Sequence, residues 1–63
     1  MTQDEYARSI EMSPSAFEEV QDCLEHKSRL DYIRRTLRTQ YKHRLTNEQL
    51  AAAKQWFKDH PRE

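Results

Sequence analysis

Apolar residues recur at intervals of three and four along most of the chain, with polar residues between them. Tyr6 and Ile10 show this spacing near the start, and Leu30, Ile33 and Leu37 show it in the middle. Such a stripe is typical of the buried face of an amphipathic α-helix. Strand signals are lacking, and the chain contains no glycine, which disfavours hairpins and wide loops that need a positive φ. The pattern therefore predicts an all-α fold of three to four short helices.

Residues that can cap a helix precede each predicted helix. They are Thr2, Ser13, Ser28 and Thr46. The first and the last are followed three residues later by Glu5 and Gln49, which completes a capping box, and Pro14 follows the second at a position where proline is tolerated. These signals predict one domain with a helix-turn-helix at residues 2–26, a basic helix at 29–44 and a C-terminal helix at 47–59.

A single long helix from Pro14 to Arg44 is the alternative to a break between the second and third helices. The apolar stripe slips between Glu25 and Lys27, where no large apolar residue continues it. A helix that lost its buried face there would gain little from tertiary packing. The slip favours a break at this point.

The apolar stripes together define one small core. Its predicted members are Tyr6, Ile10, Phe17, Val20, Leu24, Leu30, Ile33, Leu37, Leu45, Leu50 and Phe57. A chain of 63 residues buries only about 60% of its unfolded surface. We therefore expect marginal stability or a dimer.

Charge is strongly segregated along the chain, although the net charge is zero. Residues 1–25 contain seven acidic residues and one basic residue, whereas residues 26–44 contain seven basic residues and one acidic residue. The third helix would carry Arg34, Arg35, Arg38 and Lys42 on one face, which suits a phosphate backbone. Tyr32 lies near this row and is able to stack on a base, as is Tyr41. A solvated face, partly neutralised by acids of the neighbouring helix, is the alternative.

The first two predicted helices have the residue spacing of a known DNA-binding motif. The positions that carry the spacing hold Gln3, Ala7, Glu11, Met12, Ser13, Phe17 and Val20. Residues 2–21 thus resemble the helix-turn-helix of the Cro/repressor family and excisionase-like factors of phages and bacteria. That family usually has glycine where this chain has Glu11, and a left-handed residue other than glycine costs roughly 1 kcal/mol. The resemblance implies a small DNA-binding transcriptional regulator.

The second helix of this motif would meet the bases of duplex DNA. Its predicted outward positions are Ser13, Ser15, Ala16, Glu18, Glu19 and Gln21. The resemblance implies that Ser13, Ser15 and Gln21 face the bases. The charge pattern, and not the family, predicts that the basic row of the third helix clamps the phosphates.

Acidic residues on the same helix favour a different partner. Glu18, Glu19 and Asp22 would repel phosphates, and together with Glu25 they suit a basic protein surface. The competing hypothesis is therefore a non-enzymatic inhibitor or adaptor that docks on a larger protein through this face. Trp56 is either the anchor of a homodimer, compatible with both hypotheses, or a ring folded over the edge of its own domain.

No residue pattern indicates catalysis or a cofactor. Cys23 and His26 lie three residues apart on one predicted helix and would supply two metal ligands, but no second pair with suitable spacing accompanies them. One cysteine allows no disulfide within the chain, and no apolar run reaches the length of a membrane span. We expect a cytoplasmic protein that is not an enzyme and has no metal, cofactor, small-molecule substrate or membrane contact.

Overall fold

The computed structural model describes residues 1–62 and forms a compact bundle of four α-helices in that range. The helices are α1 (Gln3–Ser9), α2 (Pro14–Glu25), α3 (Leu30–Gln40) and α4 (Asn47–Asp59). No strand occurs among residues 1–62. The predicted all-α fold is confirmed, and the break between the second and third helices is present at residues 26–29.

Helix α2 is the central element, since it packs against α1, α3 and α4. Phe17 and Val20 on α2 are completely buried, as is Leu37 on α3. The buried core consists of Ala7, Met12, Ala16, Phe17, Val20, Cys23, Ile33, Leu37, Leu45, Leu50 and Ala53. Three of its members are alanines without solvent exposure, and such small side chains let neighbouring helices approach closely. Ala16 was predicted to face outward, and that prediction is wrong.

Five members of the predicted core are not fully buried. Leu30 is 41% exposed because it is the first residue of α3, at the edge of that helix's apolar stripe. Phe57 is only partly buried, and its neighbour Trp56 packs against the core instead. Tyr6, Ile10 and Leu24 lie around the core as partly buried residues.

Three of the four helices have the N-cap residue that the sequence predicts. Both capping boxes, at Thr2 and Thr46, are formed, and the Ser13 hydroxyl accepts a hydrogen bond from the Ala16 N–H at 3.2 Å. Ser28 does not cap α3, and the N-cap of that helix is Arg29, which makes no side-chain capping bond. The Ser28 N–H instead donates to the Cys23 carbonyl at 2.9 Å, so this residue closes the end of α2.

A residue with a positive φ lies two positions after the end of each of the first three helices, although none of these residues is glycine. They are Glu11 (φ 63°), Lys27 (φ 56°) and Lys42 (φ 51°). At the first two positions the following N–H donates five residues back, which is the Schellman arrangement. The chain therefore makes its short turns with charged residues in a conformation that glycine adopts at lower cost.

Candidate functional site

The unit predicted to be a helix-turn-helix is present as α1, a four-residue connection at residues 10–13, and α2. A buried amide from α4 holds this connection in place. The Gln49 Nε2 donates to the carbonyls of Ile10 (2.9 Å) and Glu11 (3.3 Å). The Gln49 Oε1 accepts from the Thr46 N–H at 3.1 Å and lies 2.9 Å from the Nε2 of His43. One side chain thus ties the turn after α1 to the start of α4.

The residues expected to face bases do not form a common surface. Ser13 and Ser15 are exposed, and the hydroxyl of Ser13 is used in the cap of α2. Gln21 is only 1% exposed, and its Nε2 donates to the Ala53 carbonyl at 3.1 Å. The prediction that Gln21 faces outward is wrong, because the residue lies one turn after Phe17 on the buried side of α2.

The exposed side of α2 carries Glu18, Glu19, Asp22 and Glu25, which we call the acidic face. Three of these residues contact the guanidinium of Arg62, which follows α4 and returns along α2. The distances from Arg62 are 2.6 Å to Glu18, 3.0 Å to Asp22 and 3.8 Å to Glu25. The alternative in which these acids partly neutralise the basic row of α3 finds no ion pair to support it in the part of the chain that the structure describes.

The exposed side of α3 gathers four arginines, which we call the arginine surface. Arg34, Arg35 and Arg38 from α3 and Arg44 from the following loop line an open depression of about 490 Å³. Asp31 is the only acid on its wall. Every ion pair among residues 1–62 involves Arg62, so the arginine surface has no carboxylate partner in that range. Arg34 donates to the Asn47 Oδ1 at 2.6 Å, which leaves its positive charge uncompensated.

Lys42 does not belong to the arginine surface. Helix α3 ends at Gln40, and Lys42 lies in the turn that follows, with a positive φ. The prediction that it shares a face with Arg34 and Arg38 is wrong because the helical spacing stops before it. Arg44 takes the fourth place instead, brought there by the loop. Sequence spacing gave no signal for this residue, since it lies outside the helix.

The two tyrosines considered for base stacking differ in accessibility. The hydroxyl of Tyr41 donates to the Glu19 Oε1 at 3.3 Å, and its ring is partly buried against the core. Tyr32 is 56% exposed. Of the two, Tyr32 presents the more exposed ring, and Tyr41 lines a depression whose other walls carry Glu18, Glu19 and Asp22.

Trp56 packs within its own domain. Its ring stacks on Tyr6 with centroids 4.7 Å apart and on His60 at 3.7 Å, and it meets the edge of Phe17 at 6.4 Å. Aromatic pairs with these separations are stabilising. The contacts agree with the interpretation of Trp56 as a ring folded over the domain's own edge.

Cys23 is a buried thiol, 4% exposed. Its pKa is raised from 9.0 to about 11, first by burial and then by the hydrogen bond to Glu19 and the charge of that carboxylate. The Cys23 thiol donates to the Glu19 Oε2 at 3.5 Å. The thiol is therefore protonated at neutral pH and is a poor nucleophile.

We expect the folded protein to be alkylated at Cys23 at least about 100-fold more slowly than the urea-unfolded chain at pH 8, because the raised pKa and the burial both limit the thiolate. Glu19→Gln should speed the reaction, whereas Glu18→Gln, which removes a carboxylate directed at Arg62, should not. Because the thiol pKa is higher in the folded chain than in the unfolded chain, the free energy of unfolding should also fall as the pH rises from about 9 to about 11. Mass spectrometry of the alkylated chain measures the rates, and equal rates for the two variants would contradict the role of Glu19.

No group of three or more possible metal ligands occurs among residues 1–62, and no helix in that range is long and apolar enough to cross a membrane. Comparison with known proteins gives no match to a family model, a curated protein or a solved structure. The arginine surface and the acidic face are therefore interpreted from their own chemistry.

Proposed function

We propose that this protein binds nucleic acid without catalysing a reaction, and that it holds the phosphate backbone on the arginine surface. The observation that carries the proposal is the gathering of Arg34, Arg35, Arg38 and Arg44 around one depression without a carboxylate partner in the described chain. One guanidinium group donates two parallel hydrogen bonds to the oxygens of a phosphate, and arginine is the preferred side chain for this contact. A role in DNA-linked regulation, as the resemblance of residues 2–21 implies, fits this mode of binding.

The proposed pose differs from that of a helix-turn-helix whose second helix enters the DNA groove. The acidic face lies on that helix, and carboxylates near phosphates are repelled. Gln21, which would read a base, is buried and bonded to α4. Helix α3 therefore meets the nucleic acid, and α2 serves as the central packing element.

The test is binding of a labelled duplex of random sequence, followed by fluorescence anisotropy at several salt concentrations. Affinity should fall steeply with salt, with a slope of about −0.9 for each phosphate contacted. The double change Arg35→Ala and Arg38→Ala should make that slope shallower by about 2 and weaken binding roughly 10-fold or more at low salt.

A matched control is the double change Lys54→Ala and Lys58→Ala, which removes two exposed positive charges from α4. Its affinity should stay within about twofold of the parent, since these residues lie outside the arginine surface. Equal losses in the two double variants would show that bulk charge, and not this surface, binds the duplex. If neither this duplex nor a single strand of the same length binds at low salt, the proposal is overturned, and the acidic face is left as a docking surface for a protein partner.

A further inference from the structure

A second depression, of about 460 Å³, lies between the C-terminal half of α2 and the start of α3. Most of its wall is apolar, and Cys23, His26, Arg29 and Tyr32 contribute to it. Tyr32 is one of its most exposed wall residues, since 56% of its surface meets solvent. An exposed aromatic ring beside a mostly apolar hollow has the chemistry of a site for a flat, partly apolar group.

This depression adjoins the arginine surface through Tyr32. Arg35 follows Tyr32 by three residues on α3, and residues three apart on a helix are neighbours on its surface. The wall that belongs to α2 carries Glu19 and Asp22, whose charge repels phosphate. A ligand with both phosphates and flat rings would consequently place its phosphates on the arginines and a ring at Tyr32.

We infer that the arginine surface takes single-stranded nucleic acid in preference to duplex, with one unpaired base stacked on Tyr32 at the mouth of this depression. The inference rests on the proposed function and names the ligand class for the same surface. In a duplex the base faces are covered by neighbouring bases, so Tyr32 has nothing to stack on. In a single strand the bases are free to leave the stack, and aromatic side chains bind them with little regard to sequence.

The polarity of the surroundings supports a base rather than a second phosphate at Tyr32. The two carboxylates on the α2 side, Glu19 and Asp22, outnumber the one guanidinium in the wall, that of Arg29, so the depression disfavours an anion. A neutral base ring meets its apolar part without that penalty. The other tyrosine of this region, Tyr41, is engaged with Glu19 and partly buried. Tyr32 is therefore the better placed of the two rings to stack on a base.

The experiment compares three labelled probes of equal length by anisotropy: an oligothymidine, an oligouridine and a duplex DNA. Tyr32→Ala should weaken binding of the single strands by about 5- to 150-fold, the range covered by one base stacked on an aromatic side chain. Tyr32→Phe should keep the parent affinity within about twofold, because the ring remains. Duplex binding should change less than about twofold in either variant. The oligothymidine and oligouridine arms separate DNA from RNA as the source of the strand.

Leu30→Ala is the matched control, since Leu30 is another exposed apolar residue of α3 and is not part of either depression. It should leave all three affinities unchanged. If Tyr32→Ala leaves single-strand binding unchanged while the Arg35→Ala and Arg38→Ala variant still loses affinity, the stacking inference is overturned and the proposed function stands. If no probe binds the parent protein at low salt, both are overturned.

Discussion

Gln49→Ala is expected to destabilise the domain by about 3 kcal/mol or more, because the substitution leaves several polar groups of the backbone unpaired. The amide of Gln49 pairs with the carbonyls of Ile10 and Glu11 and with the N–H of Thr46. Each of these three bonds is part-buried, and the loss of one such bond costs about 1 kcal/mol. A domain of this size has a total stability of only about 3 to 9 kcal/mol. Thermal unfolding followed by circular dichroism should therefore show a midpoint lowered by about 12 °C or more.

Two further variants show which part of the Gln49 side chain matters. Gln49→Glu keeps the acceptor that completes the capping box but loses the donor that holds Ile10 and Glu11, so it should still destabilise the domain by about 2 kcal/mol. Gln55→Ala changes an exposed glutamine on the same helix and should stay within about 0.5 kcal/mol of the parent. A Gln49→Glu protein as stable as the parent would show that the cap, and not the link to the α1–α2 turn, is what Gln49 supplies.

The helix starts could be predicted from the sequence because a cap acts over three residues. Thr2, Ser13 and Thr46 each receive a hydrogen bond from a backbone N–H close by in the chain. Helix ends depend instead on the backbone conformation of one following residue. The end of α3 follows from the positive φ of Lys42, which no side-chain pattern announces. The predicted basic helix was accordingly too long.

The buried glutamines could not be predicted, because periodicity assigns polar residues to the surface. Gln21 bonds to a carbonyl 32 residues away, and Gln49 bonds to one 39 residues away. Only the tertiary fold brings these groups together, and once it does, burial of the amide is stabilised by the bonds it makes. Gln21 was consequently assigned to a base contact that its position excludes.

Only part of the candidate site could be predicted, because only part of it consists of residues that lie close together in the sequence. Arg34, Arg35 and Arg38 share a face through helical spacing alone, so the charge pattern was enough to find them. Arg44 joins them through a loop, and Arg62 reaches the acidic face from beyond α4. Such long-range contacts have no local signature in a single sequence. The depression beside Tyr32 likewise forms only where two helices meet.

Replacing Glu11, Lys27 and Lys42 together with glycine is expected to stabilise the domain by about 2 kcal/mol. Each of the three residues has a positive φ, which costs a residue with a side chain roughly 1 to 2 kcal/mol relative to glycine. Glycine also raises the entropy of the unfolded chain, which offsets about 0.4 to 1 kcal/mol at each position. The net gain should raise the midpoint of thermal unfolding by about 8 to 16 °C.

Lys54→Gly is the control for this prediction, because it is the same exchange of side chains as Lys42→Gly at a residue in the middle of α4. There the backbone is helical, and glycine should destabilise the domain by about 1 kcal/mol. The two single variants should therefore shift the unfolding midpoint in opposite directions although they remove the same charge. If Lys42→Gly destabilised the domain as much as Lys54→Gly, the turn after α3 would not hold Lys42 in the left-handed conformation. Shifts of opposite sign in the unfolding midpoint would show that the turns lower the stability of this domain, because residues with side chains occupy positions where glycine would cost less.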